Sequence, residues 1–277
     1  MTPRLTRRRA VARIAGLWGA GQVLLSPART LAAGRITEVA RVVPLEQVPL
    51  QHRDMVDEII REHTLSRKAP ADSFPCHPSL YLTLLEEPMI PLALWQDLAA
   101  SPVRLERLAP GRYSGTDGAG ANATWEFIVR TPKLHVLLCR LDYSSPRGAA
   151  KLQGRIVLIV RSGFYKEVNG DPFVQHDVEA FVKVDSRGWK ALARTVRPIL
   201  ESVLEDQVQE AGLFVSLMGR LVETYPEWAC SVVGANTRIP AESREQFRNV
   251  VLQNRRKGAS SSRPVVLDDA KTQTRRR

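Results

Sequence analysis

One stretch of the chain, residues 176–225, constrains the fold more strongly than any other. Residues 176–184 alternate between apolar and polar side chains, and a period of two indicates a β-strand. Beyond Asp185, apolar residues recur at steps of three and four up to Val222, which indicates one face of a long helix. Asp185 and Ser186 supply N-cap oxygens where the period changes. A strand followed by a long amphipathic helix favours a helix that lies on a sheet.

Proline and glycine interrupt this long helix. A proline inside a helix removes a hydrogen bond and clashes with the preceding turn, so we expect a segment over residues 186–197 and a kink or restart at Pro198. Pro226 is expected to end the helix. Gly212 and Gly219 each cost about 1 kcal/mol relative to alanine in a helix interior. We expect a compensating close approach there, either of a ligand or of the sheet.

The part of the chain before the sheet is predicted to be mainly helical. A weak apolar stretch at residues 36–43 is a candidate first strand, and helices are predicted over 52–65 and 79–87. Another helix is predicted over residues 91–98, because it begins with a proline, which is favoured in the first turn. Residues 66–73 are predicted to form a loop.

Alternating apolar residues and turn signals predict an antiparallel sheet in the middle of the chain. Asp117-Gly118 supplies the positive φ angles of a hairpin turn, and Asn169-Gly170 marks another turn. Neighbouring strands joined by tight turns are antiparallel. The predicted strands cover residues 112–115, 123–130, 134–143, 152–165 and 173–184. The predicted fold class is therefore α+β, with short helices before an antiparallel sheet that grips a long C-terminal helix.

This order of elements resembles the helix-grip fold of the START-like (SRPBCC) superfamily. The resemblance covers residues 80–228 and depends on element order rather than on a residue motif. It implies that a lipid or another hydrophobic small molecule is held between the sheet and the last helix. Some members are enzymes, but the superfamily has no universal catalytic residues, so none is assigned. Members usually have a clear first strand before the helices, whereas residues 36–43 form only a weak candidate.

The N-terminus resembles a twin-arginine export signal. Arg7-Arg8-Arg9 precede a moderately apolar run at residues 14–25, and small residues around Ala32 offer a cleavage site. The residue after the arginines is alanine, where such signals usually have a bulky apolar side chain. The alternative interpretation is an ordinary disordered basic N-terminus.

The formal net charge of +11 belongs mainly to the two ends of the chain. Residues 1–33 carry six basic and no acidic groups, and residues 255–277 carry eight basic and two acidic groups. Because residues 34–254 are close to neutral, we expect no nucleic-acid partner. We expect an export signal at residues 1–33, a single START-like domain at 34–254 and a disordered tail at 255–277. We also expect a periplasmic or other extracytoplasmic location. No second apolar run of spanning length follows, so we expect no transmembrane segment in the mature chain.

The sequence lacks motifs for metals, cofactors and common hydrolases. Cys76, Cys139 and Cys230 match no zinc or redox spacing and are interpreted as small buried residues. The alternative, in an exported protein, is that two of them pair. His77 beside Cys76 is the most suggestive pair for a metal, but the five histidines are scattered. We therefore predict no metal site and no cofactor.

The candidate ligand-binding residues lie on the predicted strands and on the long helix. Trp125 and Phe127 are predicted to share one face of a strand with Val129, and Phe214 and Met218 follow the apolar face of the helix. If a cavity exists, charged residues within the strands point into it and fix a ligand head group. The charged strand residues are Glu126, Arg130, Arg140, Arg155, Arg161 and Glu179, and Arg140, Arg161 and Glu179 are the predicted site residues among them. The alternatives are plain core for the apolar residues and a solvated outer sheet face for the charged ones.

Three functions are compatible with these features. The first is an exported protein that binds a lipid or another hydrophobic small molecule. The second is an enzyme that uses the same cavity, with Glu126, Arg140 or Arg161 as acid–base groups. The third is an interaction module with a filled core. Cavity volume separates the first two functions from the third, and a cluster of polar groups inside the cavity separates the second from the first.

Overall fold

A single antiparallel sheet forms the centre of the fold. The computed structural model describes Val39 and residues 42–99, 101–118, 120–144, 151–185 and 212–261. The strands are β1 Leu65–Lys68, β2 Asp72–Pro75, β3 Arg104–Ala109, β4 Arg112–Thr116, β5 Ala121–Thr131, β6 Leu134–Ser144, β7 Lys151–Lys166 and β8 Pro172–Val184. Within the described residues their order is β1-β8-β7-β6-β5-β4-β3, and β2 also pairs with β8. The predicted α+β class with an antiparallel sheet is confirmed.

Helices cover both faces of this sheet. They are α1 Leu50–Arg61, α2 Pro78–Glu86, α3 Met89–Leu98, α4 at 212–224, α5 Pro226–Ala235 and α6 Ala241–Ser261, with a short 3-10 helix at Leu45–Gln47. Prolines occupy the first turns of α2 and α5, where a missing backbone N–H costs nothing. The helix α4 belongs to the predicted long helix and ends before Pro226, as expected. Residues 186–211, with the expected kink at Pro198, and the expected signal at 1–33 lie outside the described residues.

Short edge strands account for the main differences from the predicted elements. The predicted loop at residues 66–73 contains most of β1 and the start of β2, which both pair with β8. The strand β3 was not predicted, because it is an edge strand whose largely exposed side chains give a weak pattern. The candidate strand at 36–43 is wrong where it is described, since Val39 and Val42 are helical.

The C-terminal part contains two helices that were not predicted. These helices, α5 and α6, follow α4. The helix α6 is mostly polar and is buried only along a narrow stripe that includes Phe247 and Val251. It extends to Ser261, beyond the predicted start of the tail at Arg255. Residues 262–277 lie outside the described residues.

The alternation of side chains along β7 separates two hydrophobic cores. Val157 and Ile159 pack beneath α1, on what we call the α1 face of the sheet. Leu158 and Val160 point to the opposite side, the α2–α6 face, which the other helices cover. The core of the α1 face also contains Val56, Ile59, Val136 and Phe181. The larger core of the α2–α6 face contains Phe74, Leu80, Tyr81, Ile90, Tyr113, Met218, Val222 and Phe247.

The glycines of α4 allow the helix to approach the sheet. A β-carbon at Gly219 would lie 3.2 Å from the ring of Phe74, and one at Gly212 would lie 3.7 Å from Cγ2 of Val178. Met218, next to Gly219, is 0% exposed and packs in the same core as Phe74. Close packing of helix on strands, one of the two expected reasons for these glycines, is therefore present.

Candidate functional site

A cavity of about 450 Å³ lies between α2, α6 and the turn that joins β3 to β4. Its apolar lining residues are Leu82, Ile90 and Val250. Its polar lining residues are Ser79, Thr83, Glu86, Glu87, Arg107, Tyr113, Arg130, Glu242, Ser243 and Gln246. Volumes of roughly 300–1,000 Å³ with convergent polar groups are typical of small-molecule sites. This cavity is the candidate functional site of the described residues.

Glu87 joins the sheet to α6 at one side of the cavity. The Tyr113 hydroxyl donates to Oε1 of Glu87 at 3.1 Å, and Oγ of Ser243 donates to Oε2 at 2.8 Å. Nη1 of Arg107 lies 3.4 Å from Oε2. Burial, together with the charge of Glu87, raises the pKa of Tyr113, so the phenol stays a donor at neutral pH. The buried carboxylate is therefore paired, and it lies at the first turn of α6, where negative charge is favourable.

Glu86, the last residue of α2, is held by a buried histidine. Nε2 of His135 lies 3.0 Å from Oε1 of Glu86, and the histidine side chain is fully buried. This hydrogen bond lowers the pKa of Glu86, so the carboxylate is ionised at neutral pH. The ring of Phe127 packs edge-on against His135, with 6.2 Å between the centroids. Glu86 thus brings a fixed negative charge to the cavity.

Arg130 lies at the rim of the cavity, on the face of β5 opposite to the one that simple alternation predicts. A β-bulge between Phe127 and Val129 shifts the register of β5 against β6, so that Arg130 pairs with His135. Because the extra residue reverses the alternation, Arg130 lies on the same face as Phe127, and its guanidinium stacks 4.8 Å from that ring's centroid. Val129 instead packs in the core of the α1 face. The expectation that Val129 shares a face with Trp125 and Phe127 is therefore wrong.

Gly111 makes room for this arginine. Its φ is +75°, in the left-handed region, and a β-carbon there would overlap the guanidinium of Arg130. The backbone N–H of Phe127 donates to the carbonyl of Gly111 at 3.0 Å, which fixes the turn against β5. The glycine therefore serves both the turn and the placement of Arg130.

A second polar cluster lies in the core of the α2–α6 face and is closed to solvent. The Tyr81 hydroxyl lies 2.7 Å from Oγ of Ser162 and 3.2 Å from Nδ1 of His176, and all three residues are buried. Burial lowers the pKa of His176, an effect that Asp72 and the backbone of Gly212 offset only in part. The histidine is therefore neutral at physiological pH, and the cluster contributes to packing rather than to an accessible site.

The predicted apolar site residues pack on the α2–α6 face. Trp125 stacks on Tyr113 with 5.8 Å between ring centroids, and Phe214 contacts Trp95 edge-on at 6.0 Å. Phe127 contacts Tyr113, Arg130 and His135 and does not line the cavity. Met218 is in the filled core.

The predicted charged site residues lie on the opposite side of the sheet. Arg161 pairs with Asp177 at 3.2 Å and Glu179 at 2.9 Å, and it donates to the carbonyl of Val42. Arg140 is exposed and lies beside Arg155, which contacts α1. The seven predicted residues therefore do not line one cavity, and ligand binding by any of them stays a prediction.

The structure brings together residues that were not among the predicted site residues. Glu86 and Glu87 form an acidic pair at the end of an otherwise apolar helix, which is a weak signal of an accessible helix end. Arg130 is placed by the bulge, and Ser243 lies on the unpredicted helix α6. Gly111 follows Pro110, and this pair is a general signal of a turn rather than of a binding site.

The cysteines and possible metal ligands are dispersed. Cys76, Cys139 and Cys230 are free thiols, and burial raises the pKa of Cys139 to about 12. Within the described ranges, no three histidine, cysteine, aspartate or glutamate side chains come close enough to hold a metal ion. Among the described helices, none is long and apolar enough to cross a membrane.

Comparisons with known proteins return weak structural similarity only. No protein-family model matches the sequence, and no curated protein matches it. A conserved protein from Geobacillus kaustophilus is 11% identical, with a TM-score of 0.39 over 57% of this chain and 97% of its own. The structure of Ara h 8.0201 is 11% identical, with a TM-score of 0.31 over 57% of this chain and 97% of its own. A protein from Thermus thermophilus is 12% identical, with a TM-score of 0.32 over 57% of this chain and 99% of its own. Similarity at this level assigns neither a family nor a function.

Proposed function

We propose that this chain is a small-molecule binding protein of the START-like superfamily whose ligand occupies the cavity between α2, α6 and the β3–β4 turn. The observation that carries the proposal is the cavity itself, a space of about 450 Å³ lined by both apolar and charged side chains. A site of this size and mixed lining suits one amphipathic molecule.

The proposed position differs from the place where the superfamily resemblance puts the ligand. Between α4 and the strands, Met218 and Val222 are buried among side chains, and Gly219 is already close to Phe74. There the packing is that of a core. In the cavity, by contrast, Glu86 and Arg130 bring charge to an open space. The ligand is therefore a lipid-like or other hydrophobic molecule that carries a polar group.

A tryptophan at the cavity wall tests this proposal. Gln246 is exposed on α6 and lines the cavity, whereas its neighbour Glu245 is exposed but lies outside the lining. We expect native mass spectrometry of the wild-type protein and of Glu245→Trp to show a co-purified small molecule, and that of Gln246→Trp to show none. An unchanged adduct in a folded Gln246→Trp protein would place the ligand elsewhere. A wild-type protein that carries no adduct and binds no added amphiphile would contradict the function itself.

We also propose that the protein is exported and acts outside the cytoplasm. The support is in the sequence: the arginine cluster at residues 7–9, the apolar run at 14–25 and the small residues near Ala32. N-terminal sequencing of protein recovered from the producing cell should find a mature chain that begins near residue 34. A chain that still begins at Met1 would contradict export by this signal.

A further inference from the structure

We infer that the cavity selects ligands with an oxyanion head group, a carboxylate or a phosphate monoester, and that Arg130 binds it. This inference rests on the proposed function, because it names the chemical class of the ligand in the same cavity. It depends on a difference among the charged side chains of the cavity: most of them pair with other protein groups, whereas Arg130 does not within the described part of the chain.

The other charged groups of the cavity have partners in the protein. Glu87 accepts hydrogen bonds from Tyr113 and Ser243 and lies near Arg107. Arg107 is shared between Glu87 at 3.4 Å and Glu242 at 3.6 Å. These contacts satisfy the buried carboxylate and engage Nη1 of Arg107.

Arg130 has no such partner. Within the described residues, its guanidinium makes the contact with the Phe127 ring and no hydrogen bond or ion pair. It has several N–H donors in a planar arrangement that matches the two oxygens of a carboxylate or phosphate. An arginine that lines a cavity with its donors open is suited to bind an oxyanion.

Arg130 is exposed, and its surroundings favour an orientation toward the cavity. The bulge in β5 turns it toward the cavity, the ring of Phe127 supports one face of the guanidinium, and the missing β-carbon of Gly111 makes room for it. These contacts reduce the side-chain freedom that Arg130 loses when it binds a ligand. A Gly111→Ala substitution should therefore weaken oxyanion binding through a displaced Arg130.

The negative charge of Glu86 provides a second test of the proposal, in which binding should become tighter rather than weaker. Its carboxylate is ionised and lines the same cavity, and Arg130 contributes to the lowering of its pKa. It therefore repels a bound oxyanion. Glutamine at this position keeps an oxygen to accept from His135 but removes the charge, so Glu86→Gln should tighten oxyanion binding.

The test is isothermal titration of the full chain with octanoate, octyl phosphate and the uncharged octanamide. We expect both anions to bind at least about tenfold more tightly than octanamide, because a charge-assisted hydrogen bond of usual strength is worth that much. Arg130→Gln should abolish this preference, and Glu86→Gln should increase it. The control is Arg140→Gln, an exposed arginine on the opposite face of the sheet, which should leave all three affinities unchanged.

The outcomes separate this inference from the proposed function. If a folded Arg130→Gln protein binds octanoate as tightly as the wild type while Gln246→Trp abolishes binding, the cavity is the site but the head-group assignment is wrong. If octanamide binds as tightly as the two anions, or none of the three binds the wild-type protein, the oxyanion assignment is overturned. If the anions bind and Gln246→Trp has no effect, the cavity itself is wrong. The ratio of the octanoate and octyl phosphate affinities then distinguishes a carboxylate from a phosphate ligand.

Discussion

The two faces of the sheet carry their charges in different places. On the α1 face the core is apolar, and the charges stand around it: Glu58 pairs with Arg155 at 2.8 Å, and Lys183 pairs with Glu62 at 2.6 Å. On the α2–α6 face, polar side chains such as Glu87 and His176 are buried among the helices. A charge in water can rearrange, whereas a buried polar group needs a fixed partner. The α2–α6 face therefore has the fixed polar geometry that a binding site requires.

The largest expected effect concerns the filled part of the α2–α6 face. Met218 is fully buried, so Met218→Ala should lower the free energy of unfolding by about 2–5 kcal/mol. Met218→Trp should also destabilise, by about 1–3 kcal/mol, because a packed core does not accept the larger ring. Leu217→Ala, at an exposed position of the same helix, is the control and should change stability little. A stable Met218→Trp protein in urea unfolding would show that the ligand space extends beneath α4.

The buried hydroxyl of Tyr81 provides the next test. Tyr81→Phe removes the hydrogen-bond partner of the Ser162 hydroxyl and of Nδ1 of His176, which should cost about 1–3 kcal/mol in urea unfolding. Tyr165→Phe removes a hydroxyl from an exposed ring and should be nearly neutral. Equal effects of the two substitutions would mean that the cluster is not closed to water.

The same cluster predicts a dependence of stability on pH. His176 has a lowered pKa in the folded state, so the unfolded chain takes up a proton near its pKa of about 6.5 while the folded chain does not. The contribution of neutral His176 to the free energy of unfolding is present above that pH and is lost as the pH falls toward the folded-state pKa. Urea unfolding between pH 7 and pH 5 should show falling stability, and His176→Gln should flatten this slope. A stability slope that His176→Gln leaves unchanged would contradict a neutral buried His176.

The smallest expected effect is on the α1 face. Hydrogen bonds from Arg155 and Lys183 lower the pKa of Glu58 to about 2, but the side chain is 39% exposed. Glu58→Gln should therefore cost less than about 1 kcal/mol at neutral pH, and less still at high salt. The contribution of ionised Glu58 to the free energy of unfolding is present above the unfolded-state pKa and is lost as the pH falls toward 2. A loss as large as that of Met218→Ala would mean that this ion pair is effectively buried.

The fold was more predictable from the sequence than the candidate site. The strands β5 to β8 have long alternating patterns joined by tight turns, and these patterns placed them within a few residues of their observed bounds. The edge strand β3 and the polar helix α6 bury few side chains, so their apolar periodicity is too weak to detect.

The site depends on features that periodicity does not encode. The bulge in β5 moves Arg130 to the other face of the sheet, and a simple alternation assigns it to the wrong side. Ser243 reaches Glu87 across a sequence separation of 156 residues. Such a contact depends on the position of α6 relative to the sheet. The sequence around Ser243 or around Glu87 does not specify that position.

The central claim, that a ligand occupies the cavity at α2 and α6, is tested most directly by nuclear magnetic resonance of isoleucine δ1-methyl groups during titration with octanoate. Ile90 lines the cavity, Ile156 lies on the same face of the sheet outside the lining, and Ile59 lies on the α1 face. The methyl signal of Ile90, identified by its loss in Ile90→Val, should shift with octanoate, while those of Ile156 and Ile59 should not. A shift of Ile156 without a shift of Ile90 would contradict the account and place the ligand elsewhere on the sheet.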